Sequence, residues 1–181
     1  MSVAITINTM GISRCLLMFI IIAGFFGCDG NGQSDLDTLQ VDRYVEQLRK
    51  GKYDSYELPA FTADDIPALL AYSKETQQIK GFPTNPISSA WTAECSLGMY
   101  VLWTIESIRA VSIDSKFLIG RFPSQNPFVE LKKDPSAVIT NTAVQEDIVA
   151  FYFDWWENNK GNDFEEYKHI DPLATSIYRW H

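Results

Sequence analysis

The stretch Glu94–Val111, ECSLGMYVLWTIESIRAV, constrains the fold of this chain more than any other. At about 100° per residue, Leu97, Val101, Ile105 and Ile108 fall on one stripe of a helix, and Met99, Tyr100, Leu102 and Trp103 cover most of the remaining circumference. Only Ser96, Thr104, Glu106, Ser107 and Arg109 interrupt the apolar surface. A helix that is apolar nearly all round needs neighbours on several sides, so this one is predicted to be the central element. Fully burying one large apolar side chain contributes roughly 1.5–3 kcal/mol, which lets such a helix nucleate a core.

Three further helices are predicted around it. Asp37–Lys50 places Val41, Tyr44, Val45 and Leu48 at helical spacing, with Gly51 just beyond the end. Asp64–Gln78 has Pro67 in its first turn and turns Ile66, Leu69, Leu70 and Ser73 inward. Ala143–Asn159 aligns Ile148, Phe151, Tyr152, Trp155 and Trp156 opposite Glu146, Asp147, Asp154 and Glu157. The tail, Asn162–His181, is too apolar to dangle and is predicted to dock as short helices broken at Pro172. Residues 112–135 read less clearly, with Phe117–Ile119 as a short strand or a buried loop. The resulting expectation is an all-α domain of about four main helices plus short C-terminal ones. Phe82-Pro-Thr-Asn-Pro86 echoes Phe122-Pro-Ser-Gln-Asn-Pro127 about 40 residues later, a period that keeps a helical-repeat arrangement open.

The first residues read as a leader. Arg14 precedes the apolar run Cys15–Phe26, which is too short to span a bilayer and has the pattern of a secretory signal. Thirteen residues before that single base is long for a leader, which makes Met10 an alternative start. The end of the run resembles a bacterial lipoprotein signal, with Gly27 before Cys28. The resemblance implies acylation of Cys28 after removal of residues 1–27. Phe25-Phe26 departs from the small aliphatic residues usual there, and an ordinary signal peptide cut nearby is the alternative. Residues 28–35 (CDGNGQSD) then read as a flexible tether, and residues 36–181 as one domain.

Composition narrows the function. A formal charge of −8, with no basic run longer than Lys132–Lys133, argues against a nucleic-acid surface. Beyond Cys15 and Cys28 one cysteine remains, Cys95, so the folded body has no internal disulfide framework; a buried, inert thiol is its plainest reading. No HExxH, CxxC, GxSxG, Walker A or GxGxxG pattern occurs, and no metal or cofactor is implied. Glu166 and His169 have the i, i+3 spacing of di-metal bundles, but such sites need two pairs plus further carboxylates, and a solvated helix face is the favoured reading of one pair. Glu165, Glu166, His169 and Asp171 are candidates for an acid/base cluster. The aromatic-rich C-terminal quarter suggests a contact platform, and its helical spacing suggests core. Trp91 and Trp180 stand outside the periodic stripes, and with Tyr178 and His169 they are the candidates for ligand or partner contact.

Leader, tether and helical body together resemble a small bacterial envelope lipoprotein of an uncharacterised family. The phrases carrying the likeness are Ile66-Pro-Ala-Leu-Leu70, Asn85-Pro-Ile-Ser-Ser89, Leu102-Trp-Thr-Ile-Glu-Ser-Ile-Arg109 and Asp154-Trp-Trp156. The likeness transfers no catalytic residues. The expectation is an exported, lipid-anchored, non-catalytic binding or interaction module, held to membrane lipid through Cys28, with an unknown protein or small molecule as its partner. The rivals are an envelope hydrolase with a site near His169 and an acidic inhibitor or immunity-type protein docking on a basic partner.

Overall fold

In a computed structural model that describes residues 31–88, 94–139 and 142–181, the central helix is α3, Leu97–Ser112. Ser96 caps it in extended geometry, its Oγ accepting from the Met99 amide. Every residue from Leu97 to Ile108 is buried, as the all-round apolar pattern requires. Three helices lie around it. Helix α1 (Asn31–Arg49) buries Val41, Tyr44, Val45 and Leu48, and the Tyr44 hydroxyl meets Thr104 Oγ1 at 2.8 Å. The short α2 (Ile66–Leu70) follows a 3-10 turn at Ala63–Asp65 and buries Ile66, Leu69 and Leu70. Helix α4 (Thr142–Asn159) contributes Ile148, Val149, Tyr152 and Trp155 to the same core.

The fold is mixed rather than all-α. Strands β1 (Gln78–Lys80) and β2 (Glu94–Ser96) pair antiparallel just ahead of α3. A second antiparallel sheet has the order β4-β3-β5, with β3 at Val129–Leu131, β4 at Asp134–Ile139 and β5 at Tyr178–Trp180. A register irregularity separates Glu130 from Leu131 in the β3–β4 pair, while Glu130 stands directly opposite Arg179 in the β3–β5 pair. Four of these five strands have three residues, too few for an alternation of period two to stand out against helical spacing.

Three boundaries move for identifiable reasons. The helix expected over Asp64–Gln78 stops at Leu70. Its next amides make tighter bonds (Tyr72 N to Leu69 O, Ser73 N to Leu70 O), and Ser73 Oγ donates to Leu70 O as well. The freed segment then serves α3: Glu75 O and Gln77 O accept from the Gly98 and Leu97 amides, two of the donors a helix N-terminus leaves open. Helix α1 starts at Asn31, so residues 31–35 of the expected tether are helical. The tail docks as expected, but only Phe164–Tyr167 (α5) is helical before Pro172; beyond it the chain pairs with β3 as β5.

The two echoing segments are not stacked repeats. Both are loops flanking α3, and they touch each other: Asn85 Nδ2 donates to Ser124 O at 2.9 Å, and Ser88 Oγ to Asn126 Oδ1 at 2.9 Å. Phe82 packs on Tyr100 and Phe122 stacks on Trp103, one turn along the helix. Phe117–Ile119 is neither strand nor buried loop, since Phe117 and Ile119 are exposed and a single bridge joins Ile119 to Phe122. Among the described residues no helix is long and apolar enough to cross a membrane.

Candidate functional site

In its C-terminal half α3 keeps Ile105 and Ile108 in the apolar core and turns Glu106 and Arg109 to one wall of a cleft of about 750 Å³. The other walls are β3 and β5, the turn at Asp171–Leu173, and loop residues from Ser115 to Gln125. Helix geometry sets the first wall: Glu106 and Arg109, three apart, share a face. Arg109 grips the carboxylate with two hydrogen bonds, Nε to Oε2 at 3.0 Å and Nη2 to Oε1, and its Nη1 donates to Lys168 O at 3.3 Å. Both side chains are nearly buried, at 9% exposure for Glu106 and 11% for Arg109.

A polar chain runs from this pair to the sheet. Tyr152 of α4 donates its hydroxyl to Glu106 Oε2 at 3.1 Å and accepts from Trp180 Nε1 of β5 at 2.9 Å. Three elements are thus joined through one carboxylate. Burial pushes the Glu106 carboxyl above the ordinary glutamate range, and the charge and hydrogen bonds of Arg109 hold that rise back. Burial works against the Arg109 charge too, but the Glu106 carboxylate outweighs it and keeps the guanidinium firmly protonated. Burial also raises the Tyr152 hydroxyl well above the usual phenol range, so it stays a donor.

The second wall repeats the device across strands. Glu130 and Arg179 face each other in the β3–β5 register, and Arg179 Nε donates to Glu130 Oε1 at 2.6 Å. His181 closes this end. Its amide donates to Phe128 O, its carbonyl accepts from the Gln125 and Asn126 amides, and its ring lies on Phe128 with Asn126 Nδ2 donating to Nδ1 at 2.9 Å. The mouth is different in kind. Ile87, Phe117 and Ile119 expose apolar side chains there, beside the Lys116 ammonium at 4.8 Å from the Phe117 ring.

The residues singled out from sequence scatter. Trp180 lines the cleft, half-buried, with its indole N–H turned inward. Tyr178 is buried and donates to Asp147 Oδ2 at 3.0 Å. His169 is exposed and is not part of the cleft wall. Of the acid/base candidates only Asp171 lines the cleft, where its Oδ1 accepts from the Leu173 amide; Glu165 is exposed and pairs with Lys168. Among the described residues no three His, Cys, Asp or Glu side chains are grouped to hold a metal. Cys95 lies on β2, and burial pushes its thiol far above the ordinary range, away from nucleophilic use. Cys28 and Trp91 lie outside the described residues.

Sequence reasoning missed Glu130, Arg179, Lys116, Phe117 and His181 as wall residues. Glu106 and Arg109 carried a signal, two opposite charges at i, i+3 inside an otherwise apolar helix. No curated protein and no solved structure matches the chain. Residues 35–181 match the model of a domain of unknown function, DUF4943, and the chain belongs to that family.

Proposed function

We propose that this is an exported, lipid-anchored envelope protein whose domain binds a small molecule in the cleft and performs no chemistry on it. The observation that carries the binding half is how the cleft spends its charges. Its volume falls within the range of small-molecule sites, roughly 300–1,000 Å³. Yet its two most buried acids are each committed to an arginine of the same wall, Glu106 to Arg109 and Glu130 to Arg179. A general base needs a carboxylate or imidazole with a free lone pair facing substrate. Glu106 has both oxygens occupied, Glu130 gives one of its two to Arg179, and the His181 ring accepts on Nδ1 from Asn126. The walls are built to hold a shape.

Anchoring rests on the leader, in which Arg14, the run Cys15–Phe26 and the pair Gly27-Cys28 follow in order. A diacyl or triacyl modification gives stable attachment, because a single chain binds only marginally. Intact mass of the membrane-extracted protein tests this, compared with a Cys28→Ala variant. A lipid-sized excess that disappears in the variant is expected. A water-soluble product of unmodified mass, indifferent to the substitution, would refute the anchor.

A further inference from the structure

The charges and apolar side chains of the cleft are distributed unevenly, and the unevenness selects a ligand. Inside, acids and bases cancel in the Glu106–Arg109 and Glu130–Arg179 pairs. At the mouth stands Lys116, exposed, with no acidic partner among the described residues; its ammonium lies against the Phe117 ring. Arg179 commits only its Nε to Glu130, and half of its side chain is exposed. The wall's remaining acid, Asp171, already has one oxygen engaged by the Leu173 amide. The three acids and three bases of the wall therefore balance overall, and the accessible positive charge is local: Lys116 at the mouth and the exposed half of Arg179.

The apolar surface points the same way. Among the described residues seven large hydrophobic side chains are exposed, and Ile87, Phe117 and Ile119 meet at this one mouth, with Phe117 at 67% exposure. Exposed apolar side chains scattered singly need no explanation; a cluster beside a cavity does. Resting on the cleft-binding reading, we infer that the ligand is a small amphiphilic anion, a carboxylate-type head on an apolar or aromatic body. The head lies toward Lys116 and the outer guanidinium edge of Arg179. The body covers Phe117, Ile119 and Ile87. A cationic ligand finds the buried acids already paired, and a neutral one leaves Lys116 unused.

Three isosteric probes test this by calorimetric titration on the full-length Cys28→Ser chain: 2-naphthoate, 2-naphthylmethanol and 2-naphthylmethylammonium. The expected result is that naphthoate binds at least fivefold more tightly than the alcohol and that the ammonium does not bind. Its affinity should fall as salt rises. Lys116→Met is expected to weaken naphthoate about fivefold, the scale of one exposed charge pair, and to leave the alcohol unchanged. Phe117→Ser should weaken both. Lys116 and Phe117 are exposed, so neither variant threatens the fold. Equal binding of acid and alcohol, or an indifferent Lys116→Met, would overturn the anionic head while leaving the cleft a binding site. Failure of all three probes to bind at millimolar concentration would overturn the cleft-binding reading as well.

Discussion

Trp103 and Glu106 lie one turn apart on α3, both buried, yet their surroundings hold together by opposite means. Trp103 sits among Tyr100, Phe122 and the apolar faces of the neighbouring helices, and its one directional bond is Nε1 to Ser124 Oγ at 2.8 Å. Around Glu106 every contact of consequence is directional: two bonds from Arg109 and one from Tyr152, itself held by Trp180. Apolar packing responds to lost volume and is blind to protons. A buried ion pair responds to lost charge, and the proton can substitute for the missing partner. The same helix therefore carries one region whose stability ignores pH and one whose stability depends on it.

The sharpest test of that difference is a pair of truncations. Arg109→Met leaves Glu106 buried without its counter-charge and is expected to cost about 3–5 kcal/mol at pH 7. Trp103→Ala, which removes volume and one neutral hydrogen bond but no charge, is expected to cost about the same, 3–5 kcal/mol. Acidity should separate them. Burial already raises the Glu106 carboxyl, and without Arg109 nothing of similar strength opposes that rise. A carboxyl whose folded-state pKa lies above its unfolded value, about 4.3, favours folding below that value; the benefit is lost as pH rises through the folded one. The deficit of Arg109→Met should therefore shrink as pH falls from 7 toward 4, while that of Trp103→Ala stays flat. Denaturant unfolding at four or five pH values decides it. Parallel deficits across the range would mean that Glu106 is not held by charge.

A smaller effect probes the apolar end of the same helix. A Cβ on Gly98 would lie 2.1 Å from Ser73 O and 2.3 Å from Gln145 Nε2. The carbonyl belongs to the segment whose neighbours Glu75 and Gln77 cap α3, and Gln145 Nε2 donates to both Ser73 O and Glu75 O. Gly98→Ala must push this junction apart, at about 1–3 kcal/mol. Thermal unfolding checks it. A stability within 0.5 kcal/mol of the parent would show that the close approach of α3, α4 and the segment after α2 is not required.

These two ends of α3 also mark how far the sequence could be read. The apolar end was legible because its signal is long: the helical period is sustained from Leu97 to Ile108, and again in Val41–Leu48 and Ile148–Trp155. The shortened α2 was not, because its fate depends on amides of Leu97 and Gly98, twenty or more residues downstream, taking the carbonyls of the segment that would have continued it. Of the cleft, the sequence candidates included only Trp180 and Asp171, and the clearest unused signal lay where partners are neighbours in sequence. Glu106 and Arg109 stand out as charges in an apolar helix. Glu130 and Arg179 are separated by 49 residues and meet only through the β3–β5 register, which three-residue strands do not announce. Trp180 was noticed for lying off every periodic stripe. What places it in the wall is that register, together with its bond to Tyr152.

The smallest effect isolates burial from spacing. Glu157 and Lys160 on the outer face at the end of α4 repeat the Glu106–Arg109 arrangement, an acid followed by a base at i, i+3, and Lys160 Nζ reaches Glu157 Oε2 at 2.6 Å. By distance alone the two pairs are equivalent. Their exposures are not: 56% and 50% for Glu157 and Lys160, against 9% and 11% for the pair in the cleft. Water and salt screen the outer pair, and fixing two long side chains costs entropy of the same order as the attraction. Lys160→Met is therefore expected to change stability by less than about 0.5 kcal/mol. A loss approaching that of Arg109→Met would mean that helical spacing itself supplies the energy. The Glu106–Arg109 wall would then need no buried setting to account for its strength.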